Sequence, residues 1–124
     1  MFQKYNPGEN RHCLELAYCK LPIKSGIKDI VSISNITFNS PDSLYIVFDY
    51  LQDFINQYDD IFTGGTYNNL KTGPVDCCGL NYFDSELTNQ IINKIRTQKP
   101  QEYEVVLKWL EDSKQYNGFY IFGF

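Results

Sequence analysis

A small α+β domain, with one mostly antiparallel sheet packed by about three helices, is the architecture this sequence predicts. Three observations carry that expectation. The first 40 residues hold alternating and β-branched segments, the middle of the chain shows apolar residues at helical spacing, and the closing run Phe119–Phe124 is apolar on both faces. A length of 124 residues suits one domain spanning 1–124. A chain of this size can bury a core without disulfides or metal to hold it together. No repeat, linker or low-complexity segment divides it.

The elements follow in order. Residues 12–20 alternate, with Leu14, Leu16 and Tyr18 on one face and Cys13, Glu15, Ala17 and Cys19 on the other, as a strand requires. Pro22 to Gly26 interrupts it, and the β-branched stretch Ile27–Phe38 reads as a second strand, with a bulge or short helical turn as the alternative. Ser40, Pro41 and Asp42 supply an N-cap, an N1 proline and a first-turn acid. From there Leu44, Val47, Phe48, Leu51, Phe54, Ile55 and Tyr58 recur at threes and fours, predicting one long helix with a buried stripe. Gly64-Gly65 ends this region, and Thr63–Asp76 reads as a long breaker-rich loop. A short strand is expected within Cys78–Phe83, followed by a helix capped at Asp84 or Ser85 and running to about Thr97. Pro100 opens a further helix whose apolar face includes Val105, Val106, Trp109 and Leu110, and Asn117-Gly118 turns the chain into the closing strand.

Charge and composition narrow the function classes. Eleven basic against 15 acidic residues give a net charge of −4, the opposite of the clustered basic surface of a nucleic-acid binder. No run approaches the roughly 18 apolar residues of a membrane span, and the N-terminal Met1–Gly8 lacks the apolar core of a secretory signal. A cytoplasmic protein with no nucleic-acid or membrane partner is the expectation. Twelve Ile, 11 Asn and nine Lys against one Ala and two Arg are consistent with an AT-rich, mobile gene.

Cys13, Cys19, Cys77 and Cys78 are expected to be thiols. Their spacing lacks the paired pattern of structural zinc sites, and Cys13 and Cys19 would share a strand face as small hydrophobes. No metal, cofactor or catalytic residue is assigned. The binding candidates are acidic. Asp49 and Asp53 occupy one face of the predicted 40–58 helix, Asp59 and Asp60 follow it, and Tyr67 stands in the adjacent loop. Acids at a helix C-terminus oppose the helix dipole, so a solvated face and a partner-binding edge are the two readings. Glu102, Glu104, Glu111 and Asp112 form a second acidic candidate.

Trp109-Leu110-Glu111, followed by Tyr116-Asn117-Gly118-Phe119-Tyr120-Ile121-Phe122-Gly123-Phe124, resembles small immunity proteins of bacterial polymorphic-toxin systems, including those of contact-dependent growth inhibition. The segments Gly64–Asn69 and Cys78–Phe83 share that character, so the resemblance spans about half the chain. It implies a cytoplasmic, non-enzymatic inhibitor that binds a cognate toxin C-terminal domain, often a nuclease, and blocks its active site or substrate surface. On that reading Asp49, Asp53, Asp59, Asp60 and Tyr67 would meet a basic cleft. Two alternatives stand beside it. One is a non-catalytic ligand-binding or adaptor module, which a large apolar cavity between helices and sheet would favour. The other is a small thiol enzyme using Cys77 or Cys78 with His12, or Asp76 with a neighbouring carboxylate.

Overall fold

Strands from opposite ends of the chain, His12–Tyr18 and Phe119–Gly123, pair antiparallel at the centre of one sheet. The computed structural model describes residues 1–4 and 12–123. Residues 5–8 of the N-terminal segment and Phe124 of the closing run lie outside the described residues. Among the described residues the strands are β1 (Phe2–Lys4), β2 (His12–Tyr18), β3 (Leu44–Val47), β4 (Thr63–Thr66), β5 (Thr72–Pro74), β6 (Leu80–Phe83) and β7 (Phe119–Gly123). They lie in the order β1-β3-β2-β7-β6-β4-β5, and every neighbouring pair is antiparallel. The helices are the single turn α1 (Ile27–Ile30), α2 (Leu51–Tyr58), α3 (Ser85–Gln98) and α4 (Tyr103–Asp112). The α+β class and its three longer helices agree with the sequence expectation.

Both faces of the sheet are covered, which is why β7 carries no polar face. On one face Leu14, Leu16, Leu44, Ile46, Phe119 and Ile121 pack against Phe54, Tyr58, Ile91, Ile95, Val106 and Leu110 from the three longer helices. On the other, Ala17, Leu80, Tyr82, Tyr120 and Phe122 are capped by Ile30 and Val31, with Leu21 and Ile36 at the margin. The Asp84 carboxylate accepts from the Leu87 N–H at 2.8 Å, the expected N-cap of α3. Gly118, at φ 76°, supplies the left-handed turn ahead of β7.

Four local expectations need correction. Leu44–Val47 is a strand and not the start of a helix; a 3-10 turn, Phe48–Tyr50, precedes α2. A short apolar run fits either period, and here all four residues are buried because β3 sits between β1 and β2 with both faces covered. Ile27–Phe38 is not a strand. It forms α1 and a 3-10 turn at Ile33–Asn35, the helical alternative, and turns Ile30 and Val31 inward to cover the second face. The 63–76 segment is a hairpin, β4 and β5, rather than a loop. Its Gly65 lies against the Phe83 ring, where an added Cβ would come within 3.0 Å. Cys13 and Cys19 do not share a face. A register irregularity between His12 and Leu14 lets Cys13 pack on the helix side while Cys19 packs beneath the second face.

The alternation of β2 also placed Glu15 with its apolar neighbours, and there it is fully buried. A carboxylate taken from water is costly unless its lone pairs are filled. Glu15 accepts from the backbone N–H of Asn39 at 3.0 Å and of Ser40 at 3.4 Å, and from Ser43 Oγ at 2.8 Å. The Tyr45 hydroxyl stands 3.5 Å from the same carboxylate and also reaches the Ser40 carbonyl at 3.1 Å. Glu15 thereby fastens the end of the 19–43 excursion to the sheet. Replacing it with alanine strands several buried donors, and Glu15→Ala is expected to lower the free energy of unfolding in urea by about 3 kcal/mol. Glu15→Gln, which keeps an acceptor, should lose less.

Candidate partner-binding site

The segment from 48 to 60 is built by the change from strand to helix. After Val47 the backbone leaves the sheet in the 3-10 turn Phe48–Tyr50, which projects Phe48 into solvent at 68% exposure and Tyr50 at 38%. Helix α2 then buries Phe54 and Tyr58, while Gln52, Asp53, Asn56 and Gln57 face outward. Asp49 and Asp53 are both exposed, as are Asp59 and Asp60 beyond the helix end. Four of the five candidate residues therefore lie along one continuous outer edge. The Lys94 ammonium approaches the Asp60 carbonyl at 3.4 Å, and Gln57 accepts from the Gln101 N–H, so this edge is braced by α3 and the α3–α4 connection.

Tyr67 does not join them. It stands in the turn of the β4–β5 hairpin, and its hydroxyl donates to the Pro74 carbonyl of the same hairpin. An added Cβ on Gly73 would meet that hydroxyl at 2.6 Å, so the glycine leaves room for the ring. Tyr67 lines a cleft with Phe38, Leu80 and Phe122, on the face opposite α2. The second acidic candidate is partly spent inside the molecule. Glu102 holds the Met1 amino group at 3.0 Å and Glu111 pairs with Arg96 at 3.1 Å. Glu104 and Asp112 are exposed on α4.

Two features of the 48–60 edge went unread in the sequence. The spacing of Phe48 predicts a place in a buried helical stripe, and the strand at 44–47 turns it outward instead. The other is legible without a structure: from Asp29 to Leu70 there is no Lys, Arg or His, and there are six Asp. Asp42 among these pairs with Lys20 at 2.7 Å.

Cys13, Cys19 and Cys77 pack against the core, whereas Cys78 is exposed. Cys19 lies buried under the Tyr120 hydroxyl at 3.3 Å, and Cys13 Sγ donates to the Ile46 carbonyl at 3.4 Å. Burial pushes the Cys13 and Cys77 thiols above their ordinary range, with a smaller contribution from charge repulsion: by Cys77 at Cys13, and by Cys78 and Asp76 at Cys77. A thiol activated as a nucleophile is shifted the other way. His12 lies in register with Val47 and stacks at a tilt on Tyr45, 4.8 Å between centroids. Among the described residues no group of three or more His, Cys, Asp or Glu side chains is placed to hold a metal ion, and no helix is long and apolar enough to cross a membrane. Comparison with models of protein families, with curated proteins and with solved structures found no match.

Two measurements check this description. Phe48→Ser should change unfolding free energy by no more than about 0.5 kcal/mol, whereas Phe54→Ala should cost about 3–5 kcal/mol; equal losses would restore Phe48 to the core. With a thiol reagent at neutral pH, exposed Cys78 should react first. Raised thiol pKa values leave less thiolate on Cys13 and Cys77 at that pH, so their rates should climb only as the pH is taken higher.

Proposed function

We propose that this protein is an immunity protein, acting in the cytoplasm, that binds the C-terminal domain of a cognate toxin and blocks a basic substrate cleft, as a nuclease would present. The observation that carries the reading is the 48–60 edge, where two exposed aromatic side chains, Phe48 and Tyr50, sit beside Asp49 and Asp53 in a stretch free of cations. Aromatic anchors in an acidic surround suit association with a basic partner. The ring supplies desolvated contact area, and the carboxylates steer encounter and exclude wrong partners. The resemblance of the Trp109–Glu111 and Tyr116–Phe124 segments to immunity proteins points the same way. No chemical step is asked of the protein, because occlusion of the cleft suffices.

Neutralisation of this kind has a genetic and a physical test. The gene should follow that of a large secreted toxin, and co-expression with the toxin's C-terminal domain should give a stable complex that protects cells. Reversing Asp53 and Asp60 to Lys should weaken toxin affinity by about tenfold or more, mostly in the association rate, while the thermal midpoint stays within a few degrees of the parent. Undiminished affinity in that variant would move the interface away from this edge. A metabolic gene neighbourhood with no toxin in it would remove the reading itself.

A further inference from the structure

On the helix side of the sheet, away from the acidic edge, β3 and α4 leave an open groove of about 530 Å³. That size falls within the range of small-ligand sites. Its walls are set by pairing and stacking. Lys4 is in register with Leu44, so both side chains leave the sheet on the same face, towards α4. From α4, Val105, Lys108 and Trp109 face the same space, Val105 at 43% exposure. Trp109 is held firmly. Its indole N–H donates to the Asp42 carbonyl at 2.8 Å, and its ring stacks on Tyr18, which stacks in turn on Tyr116.

Among the described residues, the lysines of this groove outnumber its one carboxylate outside an ion pair, Asp112. Lys4 and Lys108 both line it, and neither is in an ion pair among the described residues. Of the two carboxylates at the groove, Asp42 is engaged by Lys20 at 2.7 Å. Asp112, four residues along α4 from Lys108, is not within ion-pair distance of it. Two like charges thus line one groove, Lys4 from a strand and Lys108 from a helix, beside an apolar floor of Leu44, Val105 and Trp109, in a protein whose net charge is −4. An anion there supplies both lysines with a counter-charge, and an apolar body covers the floor.

We propose that this groove is a binding site for a small amphipathic anion: a carboxylate or equivalent acidic group, held by Lys4 and Lys108, on a flat apolar body lying against Val105, Leu44 and the edge of Trp109. The site shares no residue with the 48–60 edge and goes beyond the toxin-binding reading, so either can fail without the other.

The test is an NMR titration of the full chain with three probes of one shape and different charge: 2-naphthoate, 2-naphthamide and 2-naphthylmethylamine. Trp109 is the single tryptophan, so its indole N–H is an unambiguous reporter inside the groove wall. The expected result is saturable binding of 2-naphthoate, with shifts concentrated at the Trp109 indole and at the amides of Lys4, Leu44 and Lys108. Affinity should fall in the order anion, neutral amide, cation. The double variant Lys4→Glu/Lys108→Glu should weaken 2-naphthoate by about tenfold or more and leave 2-naphthamide nearly unchanged. Lys4→Gln/Lys108→Gln, which only removes charge, should fall between and serves if the reversal disturbs folding. Equal affinity for the three probes, shifts centred elsewhere, or indifference to both variants would overturn the site.

Discussion

The buried carboxylate of Glu15 is the constraint on which the second half of the architecture depends. One face of the sheet is closed in the ordinary way, by amphipathic helices carrying Phe54, Ile91, Ile95 and Val106. The other is closed by an irregular excursion that has too little apolar surface to dock by burial alone. Its contribution is chiefly Ile30 and Val31, with Leu21 and Ile36 at the margin, while Ile23, Ile27 and Ile33 remain exposed. Polar fastening supplies what burial does not. The backbone N–H groups of Asn39 and Ser40 and the Ser43 hydroxyl converge on one carboxylate in the middle of a central strand. Directional bonds to a charge fix the place where the excursion returns to the sheet, and so fix where β3 begins.

The aromatic content of the chain works with that clamp. Four tyrosines, at 18, 58, 82 and 120, each donate a hydroxyl proton to the backbone carbonyl of a distant segment: Trp109, Gln101, Asn117 and Ile30 respectively. Burial raises all four phenols well above their ordinary range, with nearby carboxylates adding to the shift at Tyr18, Tyr58 and Tyr82, and Cys19 and Tyr82 adding to it at Tyr120. They therefore stay protonated and keep donating at pH values where an exposed phenol ionises. These side chains fill the core with their rings and tie turns to the sheet with their tips, a double use available to no aliphatic residue. The exposed aromatic pair at 48 and 50 is a different population, with no such strut to make.

Periodicity made some of this legible and concealed the rest. β2, α3, α4 and β7 were readable because each is long enough for its period to repeat and each is bounded by turn or capping residues, such as Asp84 and Asn117-Gly118. Leu44–Val47 was not, because four apolar residues in a row satisfy both periods, and the decision between them lies with β1 and β2, far away in sequence. The same ambiguity hid Phe48. The carboxylates of the 48–60 edge were found from sequence because their exposure follows from chemistry alone, whereas the place of Tyr67 depends on a hairpin that its glycines disguised as a loop. The groove at Lys4 and Lys108 could not have been read at all, since those residues stand more than a hundred positions apart and meet only through the register of β1 on β3.

The pairing of β2 with β7 bears on when the molecule can come into being. β2 leaves the ribosome early and is flanked in the finished sheet by β3, which follows soon after, and by β7, which arrives last. Until β7 docks, one edge of β2 stays open and its apolar residues lack the neighbours that β7 supplies. Contacts this distant along the chain are slow to form and cannot be made by a nascent fragment. The sheet therefore closes only once β7 has been made, and until then a new copy carries the apolar faces of β2 exposed.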